Sequence, residues 1–172
     1  RKIGIKSPLD PVHSLALGSS DVNLLELTSA YACFANHGVR FEPVAIKTVT
    51  DSSGRVLYVN DTTPVQAISP ETAYLITNLL KGVIERGTGQ KARELNRPAA
   101  GKTGTTNDNR DAWFIGYVPS LVAGVWIGFD DQQSLGQKTT GARAALPLWL
   151  DFMKHALQGA ETADFPMPAN II

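Results

Sequence analysis

A single cysteine, Cys33, stands in the 172 residues, so no disulfide can form within the chain. It lies among apolar residues of helical spacing and reads as a small buried hydrophobe. The most apolar run, Leu121 to Phe129, is too short to cross a bilayer. Charge of one sign is not in excess. Sixteen basic residues balance sixteen acidic ones, which removes the electrostatic footprint of a nucleic-acid binder. The stretch from Lys81 to Asp111 is mildly basic and reads first as a solvated surface. The three histidines, His13, His37 and His155, are far apart and read as surface or helix-end residues rather than metal ligands. There is no Gly-x-Ser-x-Gly elbow, no His-Glu-x-x-His and no Cys-x-x-Cys. No signal peptide and no initiating methionine are visible, so the expectation is a part of a longer polypeptide.

What is present suits a folded globule. Hydrophobic residues make up 43% and charged residues 19%, at a length sufficient for one domain with a real core. Arg1 to Gly18 lacks periodicity and reads as loop with short structured pieces. Asn23 opens a helix, with Glu26 placed to complete a capping box. Leu24, Leu27, Tyr31, Phe34 and Ala35 fall near one face of it, and Gly38 stops it. Val44 to Asp51 and Arg55 to Asn60 are β-prone and joined through Ser52-Ser53-Gly54, which fits a hairpin. Ser69-Pro70 caps and opens a second helix that Gly87 ends. A last helix is expected over Ala142 to Leu157, with Pro147 in its first turn or kinking it. Its apolar stripe is Leu146, Leu150, Met153 and Leu157, with Trp149 nearby. Beyond Gln158 the chain reads as a tail.

The chemically suggestive stretch is Gly101-Lys102-Thr103-Gly104-Thr105-Thr106. Lys102 to Thr106 reads as a strand. A polar turn, Asn107 to Arg110, leads to a second strand, Asp111 to Val118, and Pro119-Ser120 links that to a third, Leu121 to Asp130. Alternation puts Thr103 and Thr105 on one face, with Gly104 between them leaving room for another backbone. Two hydroxyls, a bare backbone and an adjacent cation form a cradle for the carboxylate of an extended ligand, which can add to the strand edge. A backbone N–H here can serve as half of an oxyanion hole. Gly101-Lys102-Thr103 also ends a phosphate-binding P-loop. That motif fails here, because Asn96 occupies its first glycine position and no helix follows. Asp108 and Asp111 read as a turn acid and a strand-start acid rather than a catalytic pair.

Gly101 to Asp108, Arg110 to Tyr117 and Gly124-Val125-Trp126-Ile127-Gly128 together resemble the class A penicillin-binding proteins, bifunctional enzymes that build bacterial peptidoglycan. The likeness extends back to Leu17-Gly18-Ser19, Ala30 to Gly38 and Gly87-Thr88-Gly89, and covers nearly the whole chain. It implies an α+β fold of the penicillin-binding/serine β-lactamase-like transpeptidase type, an antiparallel sheet packed by helices. Residues 1–158 would be the C-terminal portion of the transpeptidase domain and 159–172 a C-terminal tail. The family also uses Ser-x-x-Lys, which carries the nucleophile, and Ser-x-Asn. No serine stands three residues before any lysine from Lys6 onward, or two residues before any asparagine. Both motifs are therefore expected upstream on the same polypeptide, and this chain alone is expected to be inactive.

The resemblance implies that Lys102, Thr103, Gly104 and Thr105 bind the D-Ala-D-Ala end of a stem peptide, or a β-lactam, with Lys102 and the backbone N–H of Thr105 contributing to catalysis. It implies no cofactor and no metal. Trp113 can flank the groove or simply pack. Location at the extracytoplasmic face of the inner membrane, through an anchor absent from this chain, follows only from the family's task. A non-catalytic binding or scaffold module of the same fold and a β-lactamase relative are the alternatives. The Thr105-Thr106 and Asp111-to-Tyr117 context argues against the second.

Overall fold

A computed structural model describes residues 1–171. The first stretch is irregular apart from one 3-10 turn at His13–Leu17. Helix α1, Leu24–Ala35, starts where the Asn23 side chain accepts from Glu26 N–H at 2.9 Å. The reciprocal half of the expected capping box is not made. The Glu26 carboxylate accepts instead from the Ser7 hydroxyl at 2.7 Å and the Ser7 N–H at 3.1 Å, tying the N-terminal segment to α1. Those donors hold the Glu26 carboxyl below its ordinary range, the Ser7 hydroxyl foremost.

After α1 the chain turns through Gly38, whose φ of 82° favours glycine. Two strands of two residues follow from this turn, β1 at Val39–Arg40 and β4 at Val65–Gln66, paired antiparallel. They are too short to leave a periodic signal. The expected hairpin lies between them but is shorter, with β2 at Thr48–Thr50 and β3 at Val56–Val59. Its register shifts between Val49 and Thr50, and every residue of its two strands is exposed. Helix α2, Pro70–Arg86, is capped by the Ser69 hydroxyl, with the proline in the first turn. Gly87 ends it in an extended conformation, where a Cβ would lie 2.9 Å from the Val83 backbone. Glycine is needed there for close approach rather than for a left-handed turn. A 3-10 helix, Gln90–Leu95, leads into the sheet.

That sheet has three antiparallel strands in sequential order. They are β5 at Ala100–Thr105, β6 at Asp111–Val118 and β7 at Leu121–Gly128. Their order matches the sequence reading, with ends shifted by up to two residues. Helix α3, Ala145–Ala156, takes Pro147 in its first turn, where a missing N–H costs no helical bond.

The strand alternation sorts the core into two layers. Phe114, Gly116 and Val118 face α3 and the 3-10 helix, in a cluster with Ile84, Leu95, Leu146, Trp149 and Met153. The Trp149 ring meets Phe114 edge-on at 4.9 Å and donates to the Gly116 carbonyl at 3.1 Å. A Cβ on Gly116 would sit 2.7 Å from that ring, so this strand can only carry glycine opposite Trp149. Truncating Trp149 to alanine would cost about 3–5 kcal/mol.

On the other face Tyr117 lies fully buried among Tyr31, Phe165 and Thr77. Phe165 packs edge-on against Tyr117 at 5.5 Å, and Asp164 pairs with Lys81 of α2 at 3.2 Å. Arg97 donates to the carbonyls of Leu157, Ala160 and Glu161. Among the described residues, the segment after Gln158 thus has no helix or strand but lies along α2 and the sheet.

Burial pushes the Tyr117 phenol well above its ordinary range, although its hydrogen bond with Thr77 at 2.8 Å opposes the shift. Tyr117→Phe leaves the buried Thr77 hydroxyl without a partner and is expected to cost about 1–3 kcal/mol in denaturant unfolding. An ionising group whose folded pKa is raised contributes stability below its unfolded pKa and loses it above. The gap between the native protein and Tyr117→Phe should therefore hold steady up to about pH 10 and narrow above it.

Candidate active site

The suggestive residues lie on β5, whose outer edge has no strand partner among the described residues. The parity of that edge follows from one bond. Thr106 N–H donates to the Asp111 carbonyl at 3.2 Å, so the 106–111 pair is a hydrogen-bonded one. The Thr105–Ala112 and Thr103–Phe114 pairs are then non-bonded, and the N–H and C=O groups of Thr103 and Thr105 point away from β6. Those two residues also share a side-chain face, opposite to that of Lys102 and Gly104.

Each side chain has a definite neighbour. Lys102 is exposed, and its ammonium curls over the edge to donate to the Thr103 carbonyl at 2.7 Å. The Thr103 hydroxyl pairs with that of Thr88 at 2.6 Å, bringing the Gly87-Thr88-Gly89 loop against the strand. The Thr105 hydroxyl is exposed and accepts from the N–H of Gly141 at 3.1 Å. Gly104 is bare for an intramolecular reason. A Cβ there would come within 3.0 Å of the Trp113 Cβ, which fills the space directly across the ladder. Trp113 packs beside Trp126 with ring centroids 6.3 Å apart, the second of the two roles open to it from sequence.

The hairpin end is closed by a small polar knot. Thr106 Oγ1 accepts from Asp111 N–H at 2.8 Å and donates to Asp111 Oδ2 at 3.0 Å. Trp126 Nε1 donates to Asp111 Oδ1 at 2.7 Å. Asp108 and Asn109 hold φ of 60° and 53° in the turn, conformations that Asn and Asp tolerate best among side-chain-bearing residues. Asp111 is thus a structural acid at the strand start, as read from sequence. A cavity of about 210 Å³ lies elsewhere, between the N-terminal segment and α1, lined by Ile3, Lys6, Glu26, Arg40 and Glu42. It contains none of the β5 residues.

Sequence reasoning assigned no part to Gly141 or to the Thr88 hydroxyl. Gly141 lies 36 positions from Thr105, and nothing local marks it out from any loop glycine. The Gly87-Thr88-Gly89 loop stands out in the sequence only through the family resemblance.

A three-stranded antiparallel sheet clasped between helices, with Lys-Thr-Gly on its open edge strand, is a transpeptidase-type α+β fold of the penicillin-binding kind. The chain belongs to that family: the family model described as the penicillin-binding protein transpeptidase domain matches residues 8–147. Penicillin-binding protein 1A of Aquifex aeolicus (strain VF5) is 41% identical over 168 residues, covering 98% of this chain and 23% of that protein. Penicillin-binding protein 1A of Neisseria lactamica is 39% identical over 180 residues, covering 100% of this chain and 22% of that protein. The crystal structure of penicillin-binding protein 1A from Haemophilus influenzae matches with a TM-score of 0.91 at 28% identity, covering 99% of this chain and 32% of that one. The PonA1 protein from Mycobacterium tuberculosis, in complex with penicillin V, matches with a TM-score of 0.83 at 28% identity, covering 99% of this chain and 51% of that one. The chain spans less than a quarter of the length of these curated relatives. The resemblance to the class A proteins and the expected α+β fold are both borne out.

The polar knot yields a prediction. Thr106→Val removes both hydroxyl bonds to Asp111 and should destabilise the hairpin end by about 1–3 kcal/mol. Hydrogen exchange should speed up at the bonded amides of the hairpin end, Thr106 and Asp111, and Thr106→Ser should restore protection.

Proposed function

We propose that this chain is the C-terminal portion of a peptidoglycan D,D-transpeptidase domain, supplying the Lys-Thr-Gly strand to a site whose nucleophilic serine comes from upstream sequence of the same polypeptide. The observation that carries this reading is the open edge of β5, with the Thr105 N–H pointing outward beside the Thr103 and Thr105 hydroxyls. An extended peptide can lie along such an edge, and its terminal carboxylate can accept from the two hydroxyls.

In this mechanism the serine oxygen attacks the carbonyl carbon of the penultimate D-alanine, and its proton passes to a base. The oxyanion is held by the Thr105 N–H and by the N–H of the serine itself. One such donor lowers the barrier by roughly 3–4 kcal/mol. The intermediate collapses, the C–N bond breaks, and the terminal D-alanine leaves with a proton on its amine. An amine of a neighbouring stem peptide then attacks the ester carbon, the ester C–O bond breaks, the serine oxygen regains a proton that the amine gives up, and the new amide is the crosslink. The covalent intermediate divides one hard acyl transfer into two easier ones. A β-lactam follows the first half and remains attached.

Lys102 supplies positive potential to the carboxylate and organises the proton relay with the serine of Ser-x-Asn. Its present acceptor, a backbone carbonyl on an exposed edge, is one that an incoming oxygen can replace. Gly104 keeps the strand free of a side chain where the ligand backbone passes. The complete protein works at the extracytoplasmic face of the bacterial inner membrane, held by a segment outside this chain, and is bifunctional with a glycosyltransferase. Residues 1–158 form the domain portion, and 159–172 a tail that packs along it through Phe165.

Fluorescent penicillin should not label this chain by itself. A covalent adduct on the isolated chain would show that the attacking residue is here and would refute the reading. Within the complete protein, Thr105→Val keeps the shape and removes the hydroxyl. Acylation by benzylpenicillin should slow by about tenfold or more, the worth of one hydrogen bond to a charged group. An unchanged rate would remove the Thr105 side chain from the carboxylate cradle.

A further inference from the structure

The two hydroxyls of the cradle are not equivalent. A threonine hydroxyl has one proton and two lone pairs. The Thr103 hydroxyl faces the Thr88 hydroxyl, and either oxygen can donate, so its proton has no fixed direction. The Thr105 hydroxyl faces an N–H, which can only donate. The Gly141 amide therefore occupies a lone pair of Thr105 Oγ1 and leaves its proton free for another acceptor.

The amide is rigidly carried. Gly141 is buried, and its carbonyl accepts from Leu146 N–H at 2.9 Å, in the first turn of α3. The preceding carbonyl, of Thr140, accepts from Arg143 and Ala144 N–H, both at 2.9 Å. Helix α3 is in turn fixed to the sheet by Trp149 on Gly116. Gly141 also has to be glycine. A Cβ would run into the carbonyl oxygens of Trp113 and Gly104 and would lie 3.1 Å from the Gly104 nitrogen. Only a residue without a side chain lets this loop settle onto the β5–β6 backbone and bring its N–H to Thr105.

We infer that Gly141 is a positioning residue for substrate recognition, its N–H orienting the Thr105 hydroxyl as an obligate donor to the ligand carboxylate. The inference rests on the proposed role of Thr105 in holding that carboxylate. It assigns the start of α3 and the loop before it a part in discriminating a free carboxylate from a neutral terminus. No covalent step passes through Gly141.

The test uses the complete protein and two probes, benzylpenicillin and its methyl ester, which differ only in the carboxylate. The deciding variant replaces the amide at position 141 by a backbone ester through glycolic acid incorporation, which removes the N–H and adds no side chain. Acylation by the free acid should fall by about tenfold, as for loss of one hydrogen bond's orienting effect on a charged partner, while acylation by the methyl ester stays unchanged. Gly141→Ala should lower the acid-to-ester ratio in the same direction, with an added general loss from displacing the strand. If the backbone ester slows both probes equally, or neither, the positioning role is overturned. Thr105→Val separates this failure from that of the underlying reading. A Thr105→Val protein that keeps the full preference for the free acid shows that Thr105 does not hold the carboxylate at all. A lost preference in Thr105→Val with a retained one in the backbone ester overturns Gly141 alone.

Discussion

The hydrogen bond from Thr106 N–H to the Asp111 carbonyl fixes the register in which β5 meets β6, and the site depends on that register. A strand has a period of two, so a slip of one residue would exchange every inward group for an outward one. With the observed pairing, Thr105 directs its N–H to the open edge and its hydroxyl to the face where Gly141 lies. With a one-residue slip the Thr105 N–H would be spent inside the ladder. The Thr106–Asp111–Trp126 knot sits at the hairpin end, where a slip would begin, and holds it with three side-chain bonds.

The same pairing governs the core. Tyr117 and Phe114 lie on opposite faces of β6, one against α1, α2 and Phe165, the other against α3. Each face is filled by a large aromatic ring, and bare backbone receives the neighbours: Gly116 under Trp149 and Gly104 under Trp113. A sheet held so closely on both sides has little freedom to shift along its length. That rigidity suits the role proposed for β5, to hold donors still while charge develops on a ligand.

Much of this was legible in the sequence because the signals were local. Asn23, Ser69-Pro70 and Gly87 bracket helices through chemistry within a few residues of each end. The three strands of the main sheet are apolar runs separated by short polar turns. What was not legible depends on contacts between distant residues. Glu26 has the right spacing for a capping box, yet its carboxylate is drawn to Ser7, nineteen positions away, because two donors there outcompete one backbone N–H. Beyond Gln158 the composition reads as tail, but Phe165 finds a buried partner in Tyr117. The β5 stretch announced its own residues and concealed their partners. Thr88 and Gly141 come from loops with no periodicity, and only the folded chain brings them to Thr103 and Thr105.

Those partners bear on why an open strand edge can be selective. An edge by itself offers main-chain groups to any extended peptide and so gives affinity with little discrimination. Discrimination needs a donor that is costly to leave unanswered. A freely rotating hydroxyl is not one, since it turns toward water or a nearby carbonyl when the ligand lacks a carboxylate. A hydroxyl whose lone pair is already engaged by a fixed N–H has fewer directions left for its proton, and a negatively charged oxygen answers it best. Lys102 acts differently, as a mobile point charge on a flexible stem that takes a carbonyl when nothing better is present. On the proposed reading, the strand combines a directed donor, which reads geometry, with a compliant cation, which reads charge. A carboxylate terminus would answer both with charge-assisted bonds, and a neutral terminus only with weaker ones.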